Sequence, residues 1–170
     1  MTRIPMSKTQ SKSQLVKGTS QNPLDLKPEV AISILGLFSA ANEQEGIIYT
    51  KDYPIPDLFD GLQIFDEYTE EEFNALSSTV DSYIDENKNR LEDLIPSAIS
   101  SLLKLEDEGV YCEIAYVLAL LIMDIDEELS EVDQDYLLAL QEALKISDDR
   151  AEELIDEIFD EEYEEEEDED

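Results

Sequence analysis

The stretch GVYCEIAYVLALLIMDIDEELSEVDQDYLLAL, residues 109–140, joins an apolar run to an acidic corner and then to a second patterned segment. Ile114 to Met123 are ten consecutive apolar residues. We read them as the centre of a helix from Val110 to Asp124 that is hydrophobic on nearly every side and lies in the middle of the core. A membrane-spanning helix needs about 20 such residues. This run is half as long and flanked by acids, so core is expected, not membrane. Ser130 then suits an N-cap, and the helix it opens, Glu131 to Leu144, carries Tyr136, Leu137, Leu140 and Leu144 at helical spacing.

The same three- and four-residue spacing extends in both directions. Val30, Ala31, Ile34, Leu35, Phe38 and Ala41 mark a buried-face helix from Pro28 to Asn42, with proline in its first turn. Pro54-Ile55-Pro56 breaks the next segment, which leaves a loop with one short helix around Asp57 to Phe65. Thr69-Glu70-Glu71-Glu72 is a capping box ahead of a helix to about Asn87. Pro96 fits a first turn, so a further helix is expected from there to Leu105, with Leu91 to Ile95 leading in. Ser147 caps a last helix whose stripe is Leu154, Ile155, Ile158 and Phe159. Sustained period-two alternation is absent, so the expected fold class is all-α, a compact multi-helix bundle over residues 28–159.

Charge sets the ends. Asp and Glu number 45 against 11 Lys and Arg, a formal charge of −34. Residues 1–27 run the other way, with Arg3, Lys8, Lys12, Lys17 and Lys27 against Asp25 alone, and their polar composition reads as a flexible, disordered basic arm. Residues 160–170 are acidic except at Tyr163, a block expected to repel itself and stay extended. The cytoplasm is the expected location. A basic, Ser-rich, acid-poor start also fits a plastid transit peptide, whereas a secretory h-region is missing.

Composition excludes whole chemistries. The chain has no His, so imidazole acid/base work, His-ligated zinc and Ser-His or Cys-His triads are ruled out. Its one cysteine, Cys112, permits neither an internal disulfide nor a multi-cysteine metal site. The net charge opposes phosphate backbones and acidic membranes, so no nucleic-acid partner is expected. Without tryptophan, the acidic pairs lack the aromatic cleft a glycosidase would use. We expect no enzyme.

The corner at residues 123–140 crowds carboxylates, which must be solvated, raised in pKa or held by a cation. Oxygen ligands of this kind suit Ca²⁺ or another hard divalent ion. An EF-hand from Asp124 would use Asp124, Asp126 and Glu128, but Leu129 stands where the loop needs Gly and Asp135 where it needs Glu. A helix-borne site is the remaining form of the idea, with Asp124, Asp126, Glu128 and Asp133 as its ligands.

Here the sequence resembles the TerB-like domains of bacterial tellurite resistance. Ala119-Leu120-Leu121-Ile122 leads into Asp126-Glu127-Glu128-Leu129-Ser130-Glu131-Val132-Asp133, similar to that family's Asp-Gly-Glu-hydrophobic-Ser-x-x-Glu motif. It departs at Glu127, where the family has Gly, and at Asp133, where it has Glu. The family looks internally duplicated, and Ala40 to Ile48 resembles a degraded first copy, with Glu45-Gly46 but Ile47 in place of the second acid. Phe65 to Phe73 resembles the family's middle helix start, and Leu144-Lys145-Ile146-Ser147 the opening of its last helix. The resemblance implies an all-helical domain over residues 28–159, an acidic metal-linked site and a role in stress-response or membrane-associated complexes. Two functions are therefore expected: an acidic non-enzymatic module for a basic protein partner, or a divalent-cation-binding domain.

Overall fold

The computed structural model describes residues 12–41, 47–59, 62, 65, 67–106, 109–123 and 130–168, with side chains as far as 158. Among them are eight helices and no strand: α1 (Lys12–Lys17), α2 (Pro28–Ala40), α3 (Ile55–Leu58), α4 (Glu70–Asn87), α5 (Leu91–Leu103), α6 (Val110–Ile122), α7 (Glu131–Ala143) and α8 (Asp148–Asp168). They build one compact bundle around a single hydrophobic core. The all-α expectation holds.

The central position belongs to α2, not to α6. Every residue from Val30 to Ser39 is buried, and α3, α4, α5 and α6 all pack on this helix. Polar atoms at such a place need partners. Ser33 donates to the Glu29 carbonyl and the Ser39 hydroxyl shares a 2.7 Å hydrogen bond with that of Tyr136. Gly36 explains how closely α6 approaches: a Cβ there would lie 2.7 Å from Leu118 Cδ2 and 3.0 Å from Leu58 Cδ2. By contrast α6 buries Cys112, Ala115, Tyr116, Leu118, Ala119 and Leu120 while leaving Val110 and Leu121 exposed. An unbroken apolar run marks burial in general but not which helix lies deepest.

The capping predictions are met. Thr69 Oγ1 accepts from the Glu72 N–H and Glu72 Oε1 accepts from the Thr69 N–H. Ser130 Oγ accepts from the Asp133 N–H, and Ser147 Oγ from that of Arg150. Other boundaries moved. The short helix spans Ile55–Leu58 and so begins inside Pro54-Ile55-Pro56, earlier than expected, because Pro56 fits a first turn. α5 begins at Leu91 and carries Pro96 in its interior, giving up one helical hydrogen bond, while Leu94, Ile95, Ala98 and Ile99 around the proline are buried. The helical backbone of α8 runs on to Asp168 through the block expected to be extended. Glutamate is a strong helix former, and prolonging an existing helix avoids the cost of nucleation.

The largest departure concerns the second half of the basic arm, residues 1–11 lying outside the described residues. From Lys12 onward the segment expected to be flexible is packed against the body: α1 lies against α5 and α7, with Lys12, Leu15 and Val16 buried. Beyond it, residues 20–26 run along α5. Asp93 accepts from Ser20 Oγ, from the N–H groups of Gln21 and Asn22 and from Asn22 Nδ2. Ser97 Oγ accepts from the Leu24 N–H at 2.9 Å and Ser101 Oγ from the Leu26 N–H at 3.0 Å. Four helical residues rise ~6 Å and two extended residues ~6.6 Å, so a row at positions i, i+4 and i+8 keeps step with alternate N–H groups of an extended chain.

Candidate functional site: an acidic, tyrosine-lined cleft

The four residues proposed from sequence as cation ligands do not form a describable site. Asp124, Asp126 and Glu128 lie outside the described residues. Asp133 stands in the first turn of α7, where its backbone N–H is held by Ser130. Among the described residues, no group of three or more acids or cysteines is placed to hold a metal ion. Cys112 is buried in α6, as expected of a small apolar residue.

Carboxylates and aromatic rings converge elsewhere, where the N-terminus of α2 meets α4. A cleft of about 390 Å³ opens there, floored by Val30 and Leu76 and walled by Asp25, Glu29, Glu72, Tyr68 and Tyr83, with Lys27 at its edge. Three acids against one base leave it negative. Each wall is built by local chemistry. Glu72 is the reciprocating carboxylate of the capping box, so its direction is fixed by the Thr69 N–H. On α4, Glu72, Leu76, Thr79 and Tyr83 repeat at three- and four-residue intervals and therefore share one face. Tyr68 is locked by rings: its centroid lies 4.7 Å from that of Phe65 and 5.3 Å from that of Phe73, and Phe65 in turn meets Phe59 edge-on at 4.8 Å. Its hydroxyl is pushed above the usual tyrosine range by burial and then by Glu29 and Glu72, so it stays a neutral donor.

Three carboxylates lining a cleft with two tyrosine side chains are complementary to an ammonium or guanidinium group, chiefly through charge. The cleft has no nucleophile paired with a base. Two larger clefts, of about 470 and 590 Å³, flank the junction of the N-terminal segment with α5. In the first, Asn22 and Asp93 are already engaged with each other. The second mixes Lys17 and Lys104 with Glu142 around an apolar floor and has no consistent sign.

Sequence reasoning missed this cleft. A signal was present in the shared face of Glu72, Leu76 and Tyr83, but the meeting of that face with Asp25 and Glu29 depends on how α2 packs against α4. Compared with protein-family models, with curated proteins and with solved structures, the chain matches none of them.

Proposed function

We propose that this protein is an acidic, non-enzymatic interaction module of TerB-like type that receives a basic segment of another protein, in a cytoplasmic stress-response setting. The observation that supports this most is the cleft itself, in which Glu29 and Glu72 stand beside Tyr68 on a rigid aromatic base. The −34 net charge would steer a cationic partner toward it over long range, and the acidic end of α8 would add to that field. No helix among the described residues is long and apolar enough to cross a membrane.

The test is calorimetric titration of the full chain with an unstructured Gly/Lys peptide at physiological salt. Saturable binding, weakened by deleting residues 160–170, is expected. Absence of saturable heat would refute the reading. Titrating Ca²⁺, Mg²⁺ and Mn²⁺ into the same protein and into Asp126→Asn/Glu128→Gln addresses the alternative, a cation-binding domain using Asp124, Asp126, Glu128 and Asp133. That alternative requires heat in the first protein and its loss in the second.

A further inference from the structure

The outer face of α6 carries an apolar line that the core covers only in part. Val110, Ile114, Val117 and Leu121 follow one another at spacings of four, three and four residues. At ~100° per residue these positions return to within ~40° of a single line along the helix. That line lies opposite Cys112, Ala115 and Ala119, which face the core. Val110 is 52% exposed and Leu121 40%, while Ile114 and Val117 are half-buried. Single exposed apolar residues are ordinary, but four in a row at this spacing form the seam by which one amphipathic helix accepts another.

The surroundings of the seam state the charge of what would cover it. α8 packs beside it on α6, tied by the Arg150 guanidinium to both oxygens of Glu113 at 2.8 Å. Through Ile158, the acids of α6 and α8 are Glu113, Asp148, Asp149, Glu152, Glu153, Asp156 and Glu157, against the single base Arg150, which Glu113 already occupies. A second copy of this chain would bring the same sign. At its N-terminal end the seam begins next to Tyr111, which is near enough to influence Tyr68 of the cleft.

We infer that the Val110–Leu121 seam docks a basic amphipathic helix, its apolar stripe on α6 and its cationic flanks toward α8. This rests on the reading of the protein as a receptor for basic segments and names the secondary structure of the partner. Two probes of equal charge separate the two claims: a synthetic Leu/Lys helix with heptad spacing, and the Gly/Lys peptide. Affinities are measured by fluorescence anisotropy for the native chain and for Val110→Ser/Leu121→Ser.

The helix should bind about tenfold tighter than the flexible peptide, and the double substitution should remove that advantage. Unchanged binding of the flexible peptide by the same variant shows that it remains folded. Equal affinities for the two probes, or a helix advantage that survives the double substitution, would overturn the seam while leaving the receptor reading intact. Failure of both probes to bind the native chain would overturn both.

Discussion

The ammonium of Lys12 lies 5.4 Å from the ring centroid of Tyr136 and 5.3 Å from that of Phe38, and it donates to the carbonyls of Ser39 and Ala41. A cation from the N-terminal segment thus caps the C-terminal end of the central helix, where orphan carbonyls and the negative end of the helix dipole favour positive charge. The Phe38 and Tyr136 rings meet at 5.8 Å and 71°, and burial raises the Tyr136 hydroxyl well above its usual range despite the bond to Ser39.

Replacing that ammonium should therefore weaken the whole bundle. Lys12→Met keeps the aliphatic stem but leaves buried carbonyls without a donor, a loss of about 1–3 kcal/mol. Lys12→Ala should cost about 1 kcal/mol more, through lost packing. Urea denaturation measures both. A change within error of zero for Lys12→Ala would mean that α1 contributes nothing to stability.

The contact of the N-terminal segment with α5 should depend on pH through Asp93. Burial alone would raise this carboxyl, yet the donors from Asn22, Gln21 and Ser20 outweigh it and hold the pKa below the usual value. A lowered folded pKa contributes stability above the unfolded value of about 4, lost as pH falls through the folded pKa. Protection of the backbone amides between residues 20 and 26, relative to their intrinsic exchange rates, should fall on acidification below pH ~4, before the core opens. Asp93→Asn should show fast exchange already at neutral pH. Protection at those amides that stays high and constant through this pH range would contradict this.

Glu113 and Arg150 fasten α8 to α6. The hydrogen bond from Arg150 is the main cause that lowers the Glu113 carboxyl, ahead of the opposing effect of burial. By the same linkage the bridge holds above the unfolded pKa and is released as pH falls through the folded one. Glu113→Gln or Arg150→Gln should raise hydrogen exchange in α8 while α2 stays protected. Uniform acceleration across the molecule would instead mean that α8 unfolds only with the core.

The link between α7 and α8 stores backbone strain that can be removed. Lys145 has φ 61°, its N–H bonds to the Glu142 carbonyl, and the Ile146 N–H reaches the Gln141 carbonyl. This helix ending favours glycine at the left-handed position. Lys145→Gly should stabilise the protein by about 0.5–1 kcal/mol, read as a higher midpoint in thermal melts. A lower midpoint would show that the lysine side chain matters more than its conformation.

How much of this was legible in the sequence depends on range. Capping at Thr69, Ser130 and Ser147, and the buried positions named in α2 and α7, follow from residues three or four apart and agree with the structure. The attachment of residues 12–26 was not legible, because that segment has too few apolar residues to order itself. Packing on α5 and α7 orders α1, and residues 20–26 are held by α5, where Asp93, Ser97 and Ser101 interrupt an apolar helix at four-residue intervals. That row was visible, but its meaning lies more than 70 residues away. The cleft was hidden for the same reason, since Glu29 and Glu72 belong to different helices. The acidic corner proposed for a cation falls largely outside the described residues, and only Asp133 of its four ligands has a described place.

The central claim, that Glu29, Glu72 and Tyr68 form a receptor for cationic side chains, is tested most directly by the salt dependence of Gly/Lys peptide binding to the native chain and to Glu29→Gln/Glu72→Gln. Glutamine at position 72 can still complete the capping box, so the substitution removes charge and spares the helix. The affinity of the native chain should fall steeply with added salt, and the double variant should bind at least about tenfold more weakly with a shallower slope. Equal affinities and equal slopes for the two proteins would place the binding elsewhere and contradict the account.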